Sequence, residues 1–182
     1  MARQHGDNEP LAFPVLIADI GGTNARFAMI SDAYGDLKHF PTVSTSDYPS
    51  PAAAIEQAVL ARTSLLPKSV VMAIAGPVDL PPIKLTNADW TIEPDHLLDT
   101  FGFHDVVVIN DFEALALALP SLDEGDLFQM GGGTTRAHAP RVVIGPGTGL
   151  GVAALVSSAG RLTPIPGEGG HIALGPETDE DF

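Results

Sequence analysis

The chain has 182 residues, 45% of them hydrophobic, no cysteine, and a net charge of −14 from nine Lys and Arg against 23 Asp and Glu. That apolar share supplies an ordinary globular core, and the lack of cysteine excludes disulfide staples and thiolate metal sites and fits a reducing compartment. Nucleic-acid binding needs clustered Lys and Arg, which are missing, so any phosphate ligand must be held by backbone N–H groups and a metal cation.

Length alone leaves one large domain or two small ones open. The start, MARQHGDNEPLAFPV, lacks a basic segment followed by a long apolar run, so no secretory signal is visible. Every apolar run is shorter than the roughly 20 residues a membrane helix needs. A soluble cytoplasmic protein, with no membrane and no nucleic acid among its partners, is the expectation.

Along the chain, residues 1–12 read as a loose tail. Apolar runs Leu16–Ala18 and Phe27–Ile30 then pair around the turn Gly21-Gly22-Thr23-Asn24, where glycine and asparagine supply positive φ cheaply. Ser50-Pro51 starts a helix as N-cap and first turn, continued by Ile55, Ala58, Val59 and Leu66 at helical spacing. SVVMAIAGPV (69–78) is a buried strand ended by Gly-Pro, and IKLTNADW returns as a strand and turn after Asp79-Leu80-Pro81-Pro82. Residues 92–102 form a short helix stopped by Gly102, 105–111 a β-branched strand, and 112–120 a helix ended by Pro120. After a glycine-bearing connection over 121–140, RVVIGPGTGLGVAALV (141–156) sets a second glycine knot between apolar runs. Alternating strands and helices after an opening hairpin predict an α/β fold with a mixed sheet. No short solenoid repeat is present.

The second knot is not a dinucleotide-binding fingerprint. Position 150, where the spacing demands glycine, is Leu, and VAALV after it reads as a strand rather than a helix. No Gly-Lys-Ser/Thr ending marks a Walker-type loop. What remains is a turn with exposed N–H groups and no side chains to obstruct an anion, or a plain β-turn. Asp19 ends a strand two residues before Gly21. It either reaches a water on Mg²⁺ beside a phosphate in the turn or caps its own turn. Asn110-Asp111 follows the strand VVVI, at the strand end where α/β folds bind ligands. Asp111 can accept a proton from a hydroxyl or cap the next helix, and spacing alone favours the cap. Glu168 and His171, set among glycines in PGEGGH, either suit a ligand with several hydroxyls or are simply solvated loop side chains. His171 lacks the neighbours of a metal site. The acidic tail, residues 179–182, is a solvated charge run.

ADIGGTNARFA (18–28), LTNADW (85–90), INDFEALALALP (109–120), GPGTGLGVA (145–153) and PGEGGH (166–171) together, in this order, resemble the bacterial ATP-dependent glucokinases of the actin/hexokinase/sugar-kinase superfamily. The resemblance implies a ribonuclease H-like (actin-like ATPase) α/β domain over about residues 13–118, followed from 119 by the start of a second α/β domain. It implies phosphorylation of D-glucose to glucose 6-phosphate by ATP with Mg²⁺, at the start of glycolysis. Asp111 would be the base at the sugar 6-hydroxyl, and Asn110, Glu168 and His171 would bind the other hydroxyls. Ala18, Asp19, Ile20, Gly21, Gly22, Thr23 and Asn24 would hold the ATP phosphates, with Asp19 orienting Mg²⁺ through water. Gly147, Thr148 and Gly149 would face the phosphates from the second domain. A homodimer of the full-length protein is compatible with the resemblance.

Related kinases continue well past residue 182, into another sugar-binding Glu and the adenosine-binding glycine motif. The expectation is a truncated glucokinase with little activity alone, since positioning supplies most of phosphoryl-transfer catalysis. Two rivals fit less well. Hexose kinases of the repressor/open-reading-frame/kinase family carry a cysteine-rich zinc motif after their Gly-His, and no cysteine is present. A non-catalytic sugar-binding regulator on the same scaffold would prepend a helix-turn-helix, for which twelve residues leave no room.

Overall fold

The computed structural model describes residues 2–4, 10–78, 81–85, 88–134, 136, 138–146, 150–167 and 169. Two compact units divide the chain, Met1–Asp111 and Phe112–Phe182. The division falls at the start of the helix after Asn110, where the sequence-based boundary lies at that helix's far end.

The first unit carries strands β1 (Ala2–Gln4), β2 (Val15–Ile20), β3 (Asn24–Ile30), β4 (Lys38–His39), β5 (Val43–Ser44), β6 (Ser69–Ile74), β7 (Ile83–Lys84), β8 (Thr91–Ile92) and β9 (Asp105–Asn110). A seven-stranded sheet runs β1-β9-β6-β2-β3-β4, with β5 also on β3. Strands β2, β6 and β9 are mutually parallel, while β3 is antiparallel to β2, which is the mixed α/β sheet expected. β1 pairs antiparallel with β9, adding an edge strand where composition alone reads a loose tail.

Parallel neighbours need crossovers, and helices supply them. Between β5 and β6 the chain forms α1 (Pro51–Ala54), a π turn Ile55–Val59 and a 3₁₀ turn Leu60–Arg62. Ser50 caps this stretch, its hydroxyl accepting from the Ala53 N–H at 3.2 Å. The helix stops at Arg62 instead of running on to Leu66. Thr63 is extended and its hydroxyl takes the Leu65 N–H, which breaks the helical ladder and leaves Leu66 exposed. Between β6 and β9 runs α2 (Pro94–Phe101), ended by Gly102 at φ 67°. A left-handed residue is the usual stop for a helix.

Register puts Leu16, Val70 and Val106 in one row, Ala18, Met72 and Val108 in the next, and Ile20, Ile74 and Asn110 at the carboxyl edge. Cross-strand partners share a face. The first two rows, with Ile20 and Ile74, are buried with Phe27, Met29, Ile55, Val59, Trp90 and Ile92 in a single apolar cluster. Burial of this kind stabilises by about 1.5–3 kcal/mol per large side chain.

The second unit opens on α3 (Asp111–Ala118), whose first residue closes unit one, and contains a three-stranded antiparallel sheet of β10 (Arg141–Pro146), β11 (Leu150–Ser158) and β12 (Arg161–Gly167). Ala116, Ala153 and Leu155 form its buried centre, flanked by Phe112 and Val143. β12 carries Pro164 and Pro166 opposite Leu155 and Ala153. Proline is tolerated there because β12 is an edge strand, which is why a proline-rich run hides a strand. Among the described residues no helix is long and apolar enough to cross a membrane.

Candidate functional site

The carboxyl ends of β2, β6 and β9 lie side by side, and three features of the sequence meet along that rim. The glycine turn follows β2, the Ala75-Gly76-Pro77 bend follows β6, and Asp111 follows β9. Hydrogen bonds tie the three ends together. The Ala75 N–H donates to the Ile20 carbonyl at 3.2 Å, and Asn110 Nδ2 donates to the Gly76 carbonyl at 3.1 Å. With strands about 4.8 Å apart, the end of β9 stands about 10 Å from the end of β2.

Gly21 closes the hairpin by donating its N–H to the Asn24 carbonyl at 2.9 Å. Neither Gly21 nor Gly22 has a positive φ, so the expected conformational reason for glycine does not apply. A Cβ on Gly21 would meet only the Asn24 carbonyl oxygen, at an ordinary 3.6 Å. Among the described residues nothing packs closely enough on Gly21 to require glycine, so its backbone is open to close approach. Ala18 and Ile20 are buried in the core beneath the turn.

Among the described residues Asp19 bonds across the hairpin and not to its own turn. Its Oδ2 accepts from Arg26 Nη1 at 2.9 Å, the two residues facing each other across β2 and β3. Both side chains are more than half exposed, 53% for Asp19 and 64% for Arg26. The pair orients the carboxylate more than it stabilises the fold. Among the described residues no three His, Cys, Asp or Glu side chains gather as a metal cage. A lone exposed carboxylate beside a backbone turn is a donor set that suits Mg²⁺, which keeps its waters and takes one or two carboxylates together with substrate phosphates.

Asn110 ends β9 half-buried, in the row of Ile20 and Ile74. Asp111 is the first residue of α3, so the flanking cap position falls to Asn110. A carboxylate in the first helical turn is favoured by the helix dipole. Asn110 and Asp111 are thus held at the strand end, one by its bond to Gly76 and the other by the helix start.

Gly147, Thr148, Gly149, Glu168 and His171 lie outside the described residues, as do Thr86 and Asn87 of LTNADW and the acidic tail. Around that turn, Gly145 and Gly151 face each other across β10 and β11, and packing explains both. A Cβ on Gly145 would come within 2.9 Å of the Phe112 ring, and one on Gly151 would overlap it. These two glycines seat an aromatic ring, a role that the clear-path reading of the knot did not anticipate. Sequence reasoning also passed over Thr45, buried at 5% exposure. Its hydroxyl donates to the Gly22 carbonyl at 2.9 Å and its N–H to the Thr23 carbonyl at 2.9 Å. The only hint in sequence is the run of hydroxyls at 44–46.

A cavity of about 980 Å³ opens beside the turn, lined by Gly22, Thr45, Tyr48, Lys84, Asp89 and Trp90 among others. The buried Trp90 indole donates to the Tyr48 carbonyl at 2.8 Å. Asp19, Asn110 and Asp111 do not line this cavity; they stand on the strand-end rim, which the turn residue Gly22 borders from the cavity side.

The model of the glucokinase family matches residues 16–182. The chain belongs to the glucokinase family. A glucokinase of Brucella suis biovar 1 is 51% identical over 170 residues, which cover 93% of this chain and 50% of that protein. A glucokinase of Rhizobium johnstonii is 46% identical over 182 residues, 100% of this chain and 53% of that protein. The crystal structure of a glucokinase from an Antarctic psychrotroph superposes with a TM-score of 0.79 at 36% identity, covering 92% of this chain and 54% of the other. A Balamuthia mandrillaris glucokinase, solved with glucose, shares the fold at a TM-score of 0.59 and 22% identity, covering 89% of this chain and 49% of the other. The chain spans about half the length of the glucokinases it matches.

Proposed function

We propose that the protein to which this chain contributes is an ATP:D-glucose 6-phosphotransferase of the cytoplasm, with Mg²⁺ as its metal, and that these 182 residues supply the base and one of its two phosphate turns. The observation that carries the reading is the aligned rim. Ile20, Ile74 and Asn110 share one register row, which sets an unobstructed glycine turn two strands from a carboxylate that begins a helix.

In this reading the Gly21–Asn24 turn binds the phosphates of ATP through backbone N–H groups, since the acidic chain has no basic patch to do so. Asp19, oriented by Arg26, would hold Mg²⁺ through water, and the ion would supply neutralisation of phosphate charge. Asn110 fixes the sugar through its side-chain amide while bonded to Gly76. Asp111 accepts the proton of the glucose 6-hydroxyl as the O6–P bond forms and the bond from the γ-phosphorus to the ADP oxygen breaks. Glu168 and His171 bind further hydroxyls, which discriminates sugars because a wrong epimer leaves a buried polar partner unpaired. Gly147, Thr148 and Gly149 contribute the second phosphate turn, and a homodimer is the proposed state of the longer protein.

A coupled assay of glucose 6-phosphate formation tests this reading in a chain extended to the length of its relatives. Asp111→Asn is expected to lower turnover by about two to four orders of magnitude, the usual worth of a positioned base, with glucose binding retained. Turnover that survives the substitution would remove Asp111 from the mechanism. The 182-residue chain alone is expected to show little or no turnover in the same assay.

A further inference from the structure

We infer that Thr45 is a positioning residue for the phosphate turn, aiming its backbone donors by pulling its carbonyls away. The inference rests on the phosphate-binding reading of Gly21–Asn24 and adds the residue that makes the turn anion-selective. Thr45 is buried, and it engages two successive carbonyls of the turn, Gly22 through its hydroxyl and Thr23 through its backbone N–H, each at 2.9 Å. The Ser44 hydroxyl adds a longer contact to the same Thr23 carbonyl at 3.4 Å.

Peptide planarity converts those bonds into a direction. In a trans peptide the C=O and the following N–H point opposite ways. Drawing the Gly22 carbonyl toward Thr45 turns the Thr23 N–H away from it, and holding the Thr23 carbonyl does the same for the Asn24 N–H. Carbonyl oxygens repel phosphate and N–H groups attract it, so a backbone turn selects anions only when its peptides are oriented this way. In a chain of net charge −14 the orientation of the turn's own peptides weighs heavily in anion binding, the nearby Arg26 being paired with Asp19. The hydroxyl bond is the component that side-chain identity controls. Valine in its place keeps the shape but leaves the Gly22 carbonyl without that donor, and serine keeps the donor.

The test uses the ¹⁵N-labelled 182-residue chain titrated with magnesium tripolyphosphate, following the amide signals of Gly21, Gly22, Thr23 and Asn24. Wild type and Thr45→Ser are expected to bind with affinities within about twofold of each other. Thr45→Val is expected to bind about five- to tenfold more weakly, the worth of one buried hydrogen bond, with the amides of β6 and β9 unmoved. Thr45→Ala, expected to weaken binding likewise, serves where valine disturbs the fold. Equal binding by wild type and the valine and alanine variants overturns the role of Thr45 and leaves the phosphate turn standing. Thr45→Ser as weak as Thr45→Val overturns it too, because the hydroxyl is then not the agent. No shift of these four amides in wild type overturns the phosphate-turn reading itself, and the role of Thr45 with it.

Discussion

At Gly76 the backbone turns with φ 135°, a conformation that residues with a side chain rarely adopt. Its carbonyl is the acceptor for Asn110 Nδ2, so strain introduced there reaches the rim directly. Gly76→Ala is expected to destabilise the first unit by about 1–3 kcal/mol, read as a lowered midpoint in urea denaturation, and to shift the Asn110 side-chain amide signal. An unchanged midpoint would mean that the bend relaxes without cost. The sequence marks Gly76-Pro77 as the end of a strand and Asn110-Asp111 as a strand-to-helix junction, and both are legible locally. The bond that joins them spans 34 residues, and no local pattern encodes it. Asp19 is a similar case. Its place at the end of β2 follows from the apolar run before it, but its partner Arg26 follows only from a hairpin register that pairs Ile20 with Ala25.

Among the elements, the buried strands are the clearest in sequence because β-branched runs such as VVVI have few alternatives. Leu66 and β12 show where periodicity fails. A local hydroxyl bond at Thr63, taking the Leu65 N–H, ends a helix early, and an edge position admits prolines that argue against a strand. The paired glycines of β10 and β11 teach a related lesson, since Gly145 and Gly151 look in sequence like parts of the anion turn and in space serve the Phe112 ring. Gly151→Ala is therefore expected to overpack the second unit and cost about 1–3 kcal/mol. Thermal denaturation and near-ultraviolet circular dichroism should report the loss together. A combined Gly151→Ala/Phe112→Leu chain should recover part of it, because the smaller side chain clears the added methyl. Failure of that rescue would show that glycine is needed at 151 for its backbone and not for the ring.

For the whole chain, length left one domain or two open and only the family resemblance implied two, while the unequal packing of the two units among the described residues has no mark in the sequence. In the first unit the buried cluster runs from Leu16 to Val108 and includes Trp90, Ile55 and Met72. In the second, among the described residues, it consists of Ala116, Ala153 and Leu155, and Val142, Ile144, Leu162 and Ile165 on its strands stand exposed. Local opening is easiest where few apolar contacts are lost. Amide exchange should then be slowest in β2, β6 and β9 and fastest in β10 and β12. A difference of about 3 kcal/mol in opening free energy corresponds to roughly a hundredfold in exchange rate. Hydrogen-exchange mass spectrometry of peptides from the two units would resolve it. Equal protection that is lost on dilution would show that a second copy of the chain buries the exposed Val142 and Ile144 face. Protection that stays equal at every concentration would show that three-stranded pairing alone holds β10 and β12 as firmly as the larger core holds the parallel strands.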